Sequence, residues 1–305
     1  MGRPANVSCR VIAFVNFKGG VGKTANVVNI AACLAATHEK RVLVVDLDAQ
    51  SNSSLWLLSK DAWRQHTHGL RNSTYQLFKD RVIGTHLFNF DHATIRGVPM
   101  SANGDRLIGS LHLLPAVVEL LEIEQLLSTK AAQGAHQYLL QALKSKRDAY
   151  DFILIDCPPH FFWTTKNAVF FADHLAIPYV PDFLSLSGFQ QLAKLVEGFG
   201  QQVGGNMTAL GRARISAIIV NRYEKIGNVF QQAMVELEAL TAKLKGEGLI
   251  HQKTTVLSPS IRKCVKVAEA PRVHLPVLLH AQGSIGETDY SALSRSFLDH
   301  FEGIA

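Results

Sequence analysis

A chain of 305 residues, 47% hydrophobic, is long enough to bury one large core. Its apolar runs fall well short of the roughly 18–20 residues that span a bilayer, which excludes stable membrane insertion, and its four cysteines (Cys9, Cys33, Cys157, Cys264) form no C-x-x-C pair, which argues for reduced thiols in a cytoplasm. The net charge of +6 is uneven: residues 205–275 hold eleven Lys or Arg against five Asp or Glu while the remainder balances, which points to an anionic partner.

Met1 to Arg10 contains Pro4 and no apolar stretch, so no secretory leader is expected. Apolar, β-branched runs then alternate with longer segments of helical period. In chain order the pattern predicts a strand at Val11–Asn16, a helix at Lys23–Ala36 and a strand at Arg41–Asp46. Residues 56–110 mix His66, His68, His86 and His92 with Trp56, Trp63 and several glycines at no metal-binding spacing, and read as an elaborated surface. Beyond them come a strand at Leu111–Leu114, helices at Val117–Leu127 and Ala135–Lys144, and strands at Phe152–Asp156 and Leu175–Tyr179. A helix at Ser187–Gln201, a strand at Ile215–Asn221, a helix at Val229–Leu244, a strand at Pro276–Leu279 and a helix at Asp289–Phe301 complete the series. Near-continuous hydrophobicity in the strands implies burial on both faces. The expected fold is α/β: one domain over residues 1–305 with a doubly wound, mostly parallel sheet, helices on both faces, and ligands at the carboxyl ends of the strands.

The most specific feature is Lys18-Gly19-Gly20-Val21-Gly22-Lys23-Thr24, a glycine-rich turn between the first strand and the first helix. Small residues let the backbone approach a phosphate, successive N–H groups point into the turn, and the helix N-terminus favours negative charge. Lys23 is set to meet the β- and γ-phosphates and the Thr24 hydroxyl to ligate Mg²⁺. The usual pattern, G-x-x-x-x-G-K-[ST], requires a glycine where this chain has Phe17; in exchange it carries a second lysine, Lys18, at the mouth of the loop. Asp156, ending an apolar strand, is a carboxylate fit to hold Mg²⁺ through water, because a buried unpaired aspartate is costly. Asp46 and Asp48 lie two apart where a second strand ends, and the expectation is that one faces the core and the other the site.

With Asn16–Thr24, Val44–Gln50, Leu111–Pro115, Ile153–Pro159 and Val267–Pro271 in this order, the chain resembles the ParA/MinD branch of deviant P-loop ATPases, and within it the ParA-type partition ATPases. The resemblance implies an ATPase dependent on ATP and Mg²⁺ that closes into an ATP-sandwiched homodimer, binds nonspecific DNA, and hydrolyses ATP when stimulated by a ParB-like or cargo-adaptor protein, in the cytoplasm and on the nucleoid. It implies that Lys18 reaches across the dimer and that Gly19 lies where the subunits approach. It makes Asp48 the residue that orients water and Asp46 a support of the metal shell. Gly20, Val21, Gly22 and position 25 complete the phosphate cradle, while Asn221, Arg222 and Pro271 contact the base. DNA contacts fall on Arg262, Lys263 and Lys266, extended by Arg212, Arg214 and Arg272. Two positions depart from the family: Ala25 replaces a second threonine, and Asp48-Ala49-Gln50 replaces Asp-Pro-Gln.

Other roles are open to proteins with this motif. Membrane-surface positioning of the MinD kind needs a basic amphipathic tail, and Ser291–Glu302 has one arginine against two acids. A nucleotide-gated regulator that reads DNA sequence would carry a helix-turn-helix domain before the P-loop, and the short stretch ahead of the first strand is not expected to hold one. Electron transfer, as in nitrogenase iron-protein relatives, needs bridging cysteines that are not suitably spaced. A slow switch with little turnover is the remaining alternative.

Overall fold

The computed structural model describes residues 9–100, 105–130, 133–203, 213–224 and 228–304. Nine strands lie among them: β1 (Arg10–Phe14), β2 (Val42–Asp46), β3 (Ile95–Arg96), β4 (Leu111–Leu114), β5 (Phe152–Asp156), β6 (His174–Tyr179), β7 (Arg214–Tyr223), β8 (Thr255–Val256) and β9 (Ile261–Arg262). They form one sheet in the order β3-β4-β2-β5-β1-β6-β7-β8, with β9 also against β7. Every pairing is parallel except β3 with β4. The chain leaves β1 toward β2 on one side and returns from β5 to β6 on the other, so strand order reverses at β1, the place where open sheets of this kind leave a crevice.

Alternation along β1 divides the core. Val11 and Ala13 face one cluster, Ile12 and Phe14 the other, and all are fully buried. On the Phe14 side pack the helix Lys23–Ala36 and the long helix Ile285–Gly303, whose Phe297 ring stacks on Phe14 with centroids 6.1 Å apart. Burying one such phenylalanine is worth about 1.5–3 kcal/mol. The opposite face is covered by the helices Thr74–Ile83, Leu120–Lys130, Tyr138–Leu143, Trp163–Phe171, Phe183–Val203 and Asn228–Gly246.

Two differences from the sequence reading stand out. Val277–His280 is a helical turn and not a strand; Val277 is buried against the middle of the first helix, where its N–H donates to Asn29 Oδ1 at 2.7 Å. Residues 56–110 contribute to the core as well as the surface, for Tyr75, Leu77 and Phe78 of the helix Thr74–Ile83 are buried. No described helix is long and apolar enough to cross a membrane.

Candidate nucleotide and metal site

The carboxyl ends of β1, β2 and β5 bring the P-loop and the acidic residues together. Phe14 lies opposite Asp156, and Asp156 opposite Asp46, in unbroken parallel register. Gly20 (φ 72°) and Gly22 (φ 93°) hold left-handed backbone that L side chains resist, and a Cβ on Gly22 would meet Asn221 at 3.2 Å. Gly22 starts the helix Lys23–Ala36 without a side-chain cap and the first turn holds no acid, so its leading N–H groups remain available to an anion.

Lys23 is buried, and its ammonium donates to the carbonyls of Asn16 (3.0 Å) and Lys18 (3.3 Å). Burial lowers its pKa, opposed by the nearby Asp156 carboxylate. The Thr24 hydroxyl donates to Asp156 Oδ2 at 2.8 Å, and the Ser53 hydroxyl to the same oxygen at 2.6 Å. Asp156 Oδ1 is buried with no hydrogen-bond partner. Burial raises the Asp156 pKa to about 6, against the two hydroxyl donors. An orphaned carboxylate oxygen beside a threonine hydroxyl suits a hard divalent cation, so the residues present fit Mg²⁺.

Asp46 sits differently. Its Oδ2 accepts from the Ser54 N–H (2.9 Å) and hydroxyl (2.7 Å), and its Oδ1 from the Asp48 N–H (3.1 Å). It braces the loop that carries Asp48 against the short helix Asn52–Leu57. Burial, reinforced by the Asp156 charge, raises its pKa well above the carboxylate range. Asp48 points its Oδ1 at the Gln50 N–H (2.9 Å) on the same loop.

Lys18 is tied within its own chain. Its ammonium is ion-paired to Asp182 and donates to the Ser185 hydroxyl at 3.3 Å, and its N–H donates to Asn16 Oδ1 at 2.9 Å. Asp182 also accepts the Ser185 N–H (2.9 Å), an N-cap bond in the first turn of the helix Phe183–Val203. A Cβ on Gly19 would meet nothing within 4 Å, and Ala25 packs against the helical face of the core. Asn221 at the end of β7 donates to the Val21 carbonyl at 3.0 Å, bracing the loop from the side, and Arg222 beside it is exposed with φ 56°. Pro271 lies in a 3-10 turn, Ala270–Val273, which packs on Asn52–Leu57; the neighbouring Leu275 carbonyl accepts from the Trp56 indole at 2.9 Å.

The basic residues expected to meet DNA do not all converge. Arg262 pairs with β7 near Tyr223, close to Lys263 and Lys266 in sequence. Arg214 begins β7, nine residues earlier and about 30 Å away at 3.3 Å per residue, at the opposite end of the sheet. Each of the four has an acidic partner: Arg262 with Asp289, Lys263 with Glu224, Lys266 with Glu269, and Arg214 with Glu197. Arg212 lies outside the described residues.

Four functional contacts were not anticipated from sequence. Asn16, Ser53, Ser54 and Asp182 hold Lys18, Asp156 and Asp46 in place. A signal existed only for Asp182, where Asp182-x-x-Ser185 opening an apolar-periodic segment is a helix-start pattern.

A family profile described as an AAA domain, AAA_31, matches residues 9–209. The chain belongs to this family. It is 27% identical over 291 residues to the chromosome partitioning protein ParA of Myxococcus xanthus, covering 95% of this chain and 88% of that one. Among solved structures it is similar to cobyrinic acid a,c-diamide synthase from Mycobacterium smegmatis with a bound ATP analogue and magnesium (TM-score 0.70, 23% identity, 97% and 96% of the two chains). It is also similar to the cell division ATPase MinD of Pyrococcus furiosus (TM-score 0.66, 20% identity, 95% and 98%). The resemblance to ParA-type ATPases and the mostly parallel P-loop fold are thus borne out, while the likeness to the two solved structures concerns the fold alone.

Proposed function

We propose that the chain is an ATP-hydrolysing partition switch: it binds ATP and Mg²⁺, closes as a dimer over the nucleotide, holds DNA without reading its sequence, and releases it when a ParB-like or cargo-adaptor protein stimulates hydrolysis. The cargo is a plasmid, a chromosome or a protein assembly, and the site of action is the cytoplasmic nucleoid. The observation that carries this reading is the convergence of Lys23, Thr24, Asp48 and Asp156 at one end of the sheet, with Asp156 Oδ1 buried and unpaired beside Thr24.

In this reading Thr24 and Asp156 would hold Mg²⁺, which would supply positive charge to offset that of the phosphates. Lys23 exchanges the carbonyls of Asn16 and Lys18 for the β- and γ-phosphates. Asp48 orients the attacking water, and Asp46 keeps the Asp48 loop in place. Lys18 leaves Asp182 to reach the nucleotide of the facing copy. Arg222 and Pro271 border the base, with Asn221 bracing the loop. Lys263 and Lys266 exchange Glu224 and Glu269 for DNA phosphates, contacts that carry no sequence information. Arg214, Arg262, Lys263 and Lys266 each have an acidic partner that DNA phosphates would have to displace.

Asp48→Ala tests the chemistry: nucleotide is retained and hydrolysis stalls. Turnover equal to the parent protein would remove Asp48 from the mechanism. Gly19→Val tests the dimer, since one copy has open space for the added side chain; it keeps ATP binding and loses ATP-dependent dimerisation. A Gly19→Val protein that still dimerised with ATP would refute the closed arrangement.

A further inference from the structure

We propose that an aromatic groove beside the nucleotide end of the sheet docks an acidic, apolar-rich peptide segment of a partner protein. Its regulatory meaning, though not the binding itself, rests on the ATPase reading above. The groove, of about 520 Å³, is lined by Phe17, Phe161, Phe162, Lys166, Lys194 and Leu195 among others. Phe161 is fixed edge-on between Phe17 (centroids 6.1 Å apart) and Phe199 (5.8 Å), which makes a preformed floor. Above it Phe162 is 60% exposed and Leu195 48% exposed, an apolar rim of the kind that marks an interaction site.

Charge identifies the occupant. No carboxylate lines the groove. The Lys166 ammonium sits 5.0 Å from the Trp163 ring centre, and neither it nor Lys194 forms an ion pair among the described residues. This differs from Arg262, Lys263 and Lys266, each already matched by an acid. A second copy docked groove to groove would set lysines against lysines. For a nucleic acid, two cations are a small phosphate footprint, and one face of the Phe162 ring is already covered by His160 at 4.6 Å. Aromatic or leucine anchors flanked by Asp or Glu satisfy both the floor and the rim.

The position gives the groove its consequence. Phe17 immediately precedes Lys18, Phe161 and Phe162 follow the strand that ends in Asp156, and Lys194 and Leu195 lie on the helix whose first turn, through Asp182 and Ser185, holds Lys18. An occupant therefore touches all three segments that carry the nucleotide site, and its affinity and that of ATP are reciprocally linked.

The test is a display library of short random peptides panned on the full, nucleotide-free chain. Enriched peptides are then measured by fluorescence anisotropy against the parent protein, a Lys166→Glu/Lys194→Glu variant and Leu195→Ala. The expected result is enrichment of Phe, Trp or Leu beside Asp or Glu, with affinity falling about tenfold or more in both variants. Leu195→Ala truncates an exposed helix residue and keeps the comparison meaningful if the charge reversal unfolds the chain. Enriched peptides without acidic residues, acidic peptides that bind both variants as tightly as the parent, or a single-stranded oligonucleotide whose binding depends on Lys166 and Lys194 would overturn the proposal. So would a nucleotide-free dimer that Leu195→Ala dissociates. Binding of a fluorescent ATP analogue is measured separately, so its failure in the parent protein would fall on the ATPase reading and leave the peptide result standing.

Discussion

Lys18, the lysine that sets this P-loop apart, is ion-paired with Asp182 of its own chain. The pair is about 40% exposed on both sides, so solvent screens it, and pairs of this kind are worth roughly 0.2–1 kcal/mol. A hold that weak suits the departure proposed for Lys18. Asp182→Asn releases Lys18 in both copies and is expected to strengthen ATP-dependent dimerisation by about 2- to 30-fold, two such pairs expressed as an equilibrium. Sedimentation across a protein concentration series reads the shift, and a weakened dimer would instead make Asp182 part of the closed state.

Thr24 and Asp156 share one hydrogen bond and are the proposed ligands of Mg²⁺. Asp156→Asn is expected to abolish the Mg²⁺ dependence of ATP binding. In the absence of metal and nucleotide the same variant gains stability, because burial already holds the carboxyl pKa at about 6 and an amide carries no charge to desolvate. The gain is about 1–3 kcal/mol at pH 8, where the native group is ionised. Urea titration without magnesium measures it, and a loss of stability would show that the carboxylate is already compensated.

The two halves of the site were unequally legible in the sequence. The Lys18–Thr24 turn, Asp48 and Asp156 could be read because each follows an apolar strand run, and the backbone conformation of Gly20 and Gly22 follows from residue type. The braces could not. Ser53 and Ser54 reach Asp156 and Asp46 from a short helix whose docking depends on Trp56 bonding Leu275, more than two hundred residues away. Such contacts leave no periodicity. Val277–His280 was misread for a related reason: a four-residue apolar run is the same pattern whether it is a buried strand or a buried helical turn, and only its packing on Asn29 decides. The membership of Arg214 in a basic patch failed because linear charge density says nothing about which end of a ten-residue strand a side chain occupies.

Arg262 and its neighbours should separate into two classes. Arg262 donates from its backbone N–H and its guanidinium to Asp289, which is only 4% exposed. Arg262→Glu therefore leaves a buried carboxylate facing a like charge, and the expected result is a lowered Tm with ATP binding and DNA binding both impaired. Lys263→Glu with Lys266→Glu alters exposed pairs and should leave Tm unchanged. If these two lysines meet DNA phosphates, the double variant lowers the slope of log affinity against log salt by about 2. An unchanged slope would move the DNA surface elsewhere.

His174 sets a pH limit on the fold. It is buried at the start of β6, where its Nδ1 meets the Ser216 hydroxyl at 3.0 Å and its ring packs 5.4 Å from Phe301. Burial lowers its pKa to about 4, and the charges of Arg10, His251 and His300 push the same way. The unfolded chain takes up a proton on this residue near pH 6.5 and the folded chain only near pH 4, so the unfolded state binds more protons between those values. Stability is then complete above about pH 6.5 and falls as the pH drops toward 4, by about 3 kcal/mol from this residue alone. His251 and His300 are depressed in the same direction and add to the slope. His174→Gln, uncharged throughout, should flatten part of it: urea midpoints at pH 7.5 and pH 5 should lie closer together than in the parent protein. An identical midpoint difference in the two proteins would mean that His174 is already charged in the fold.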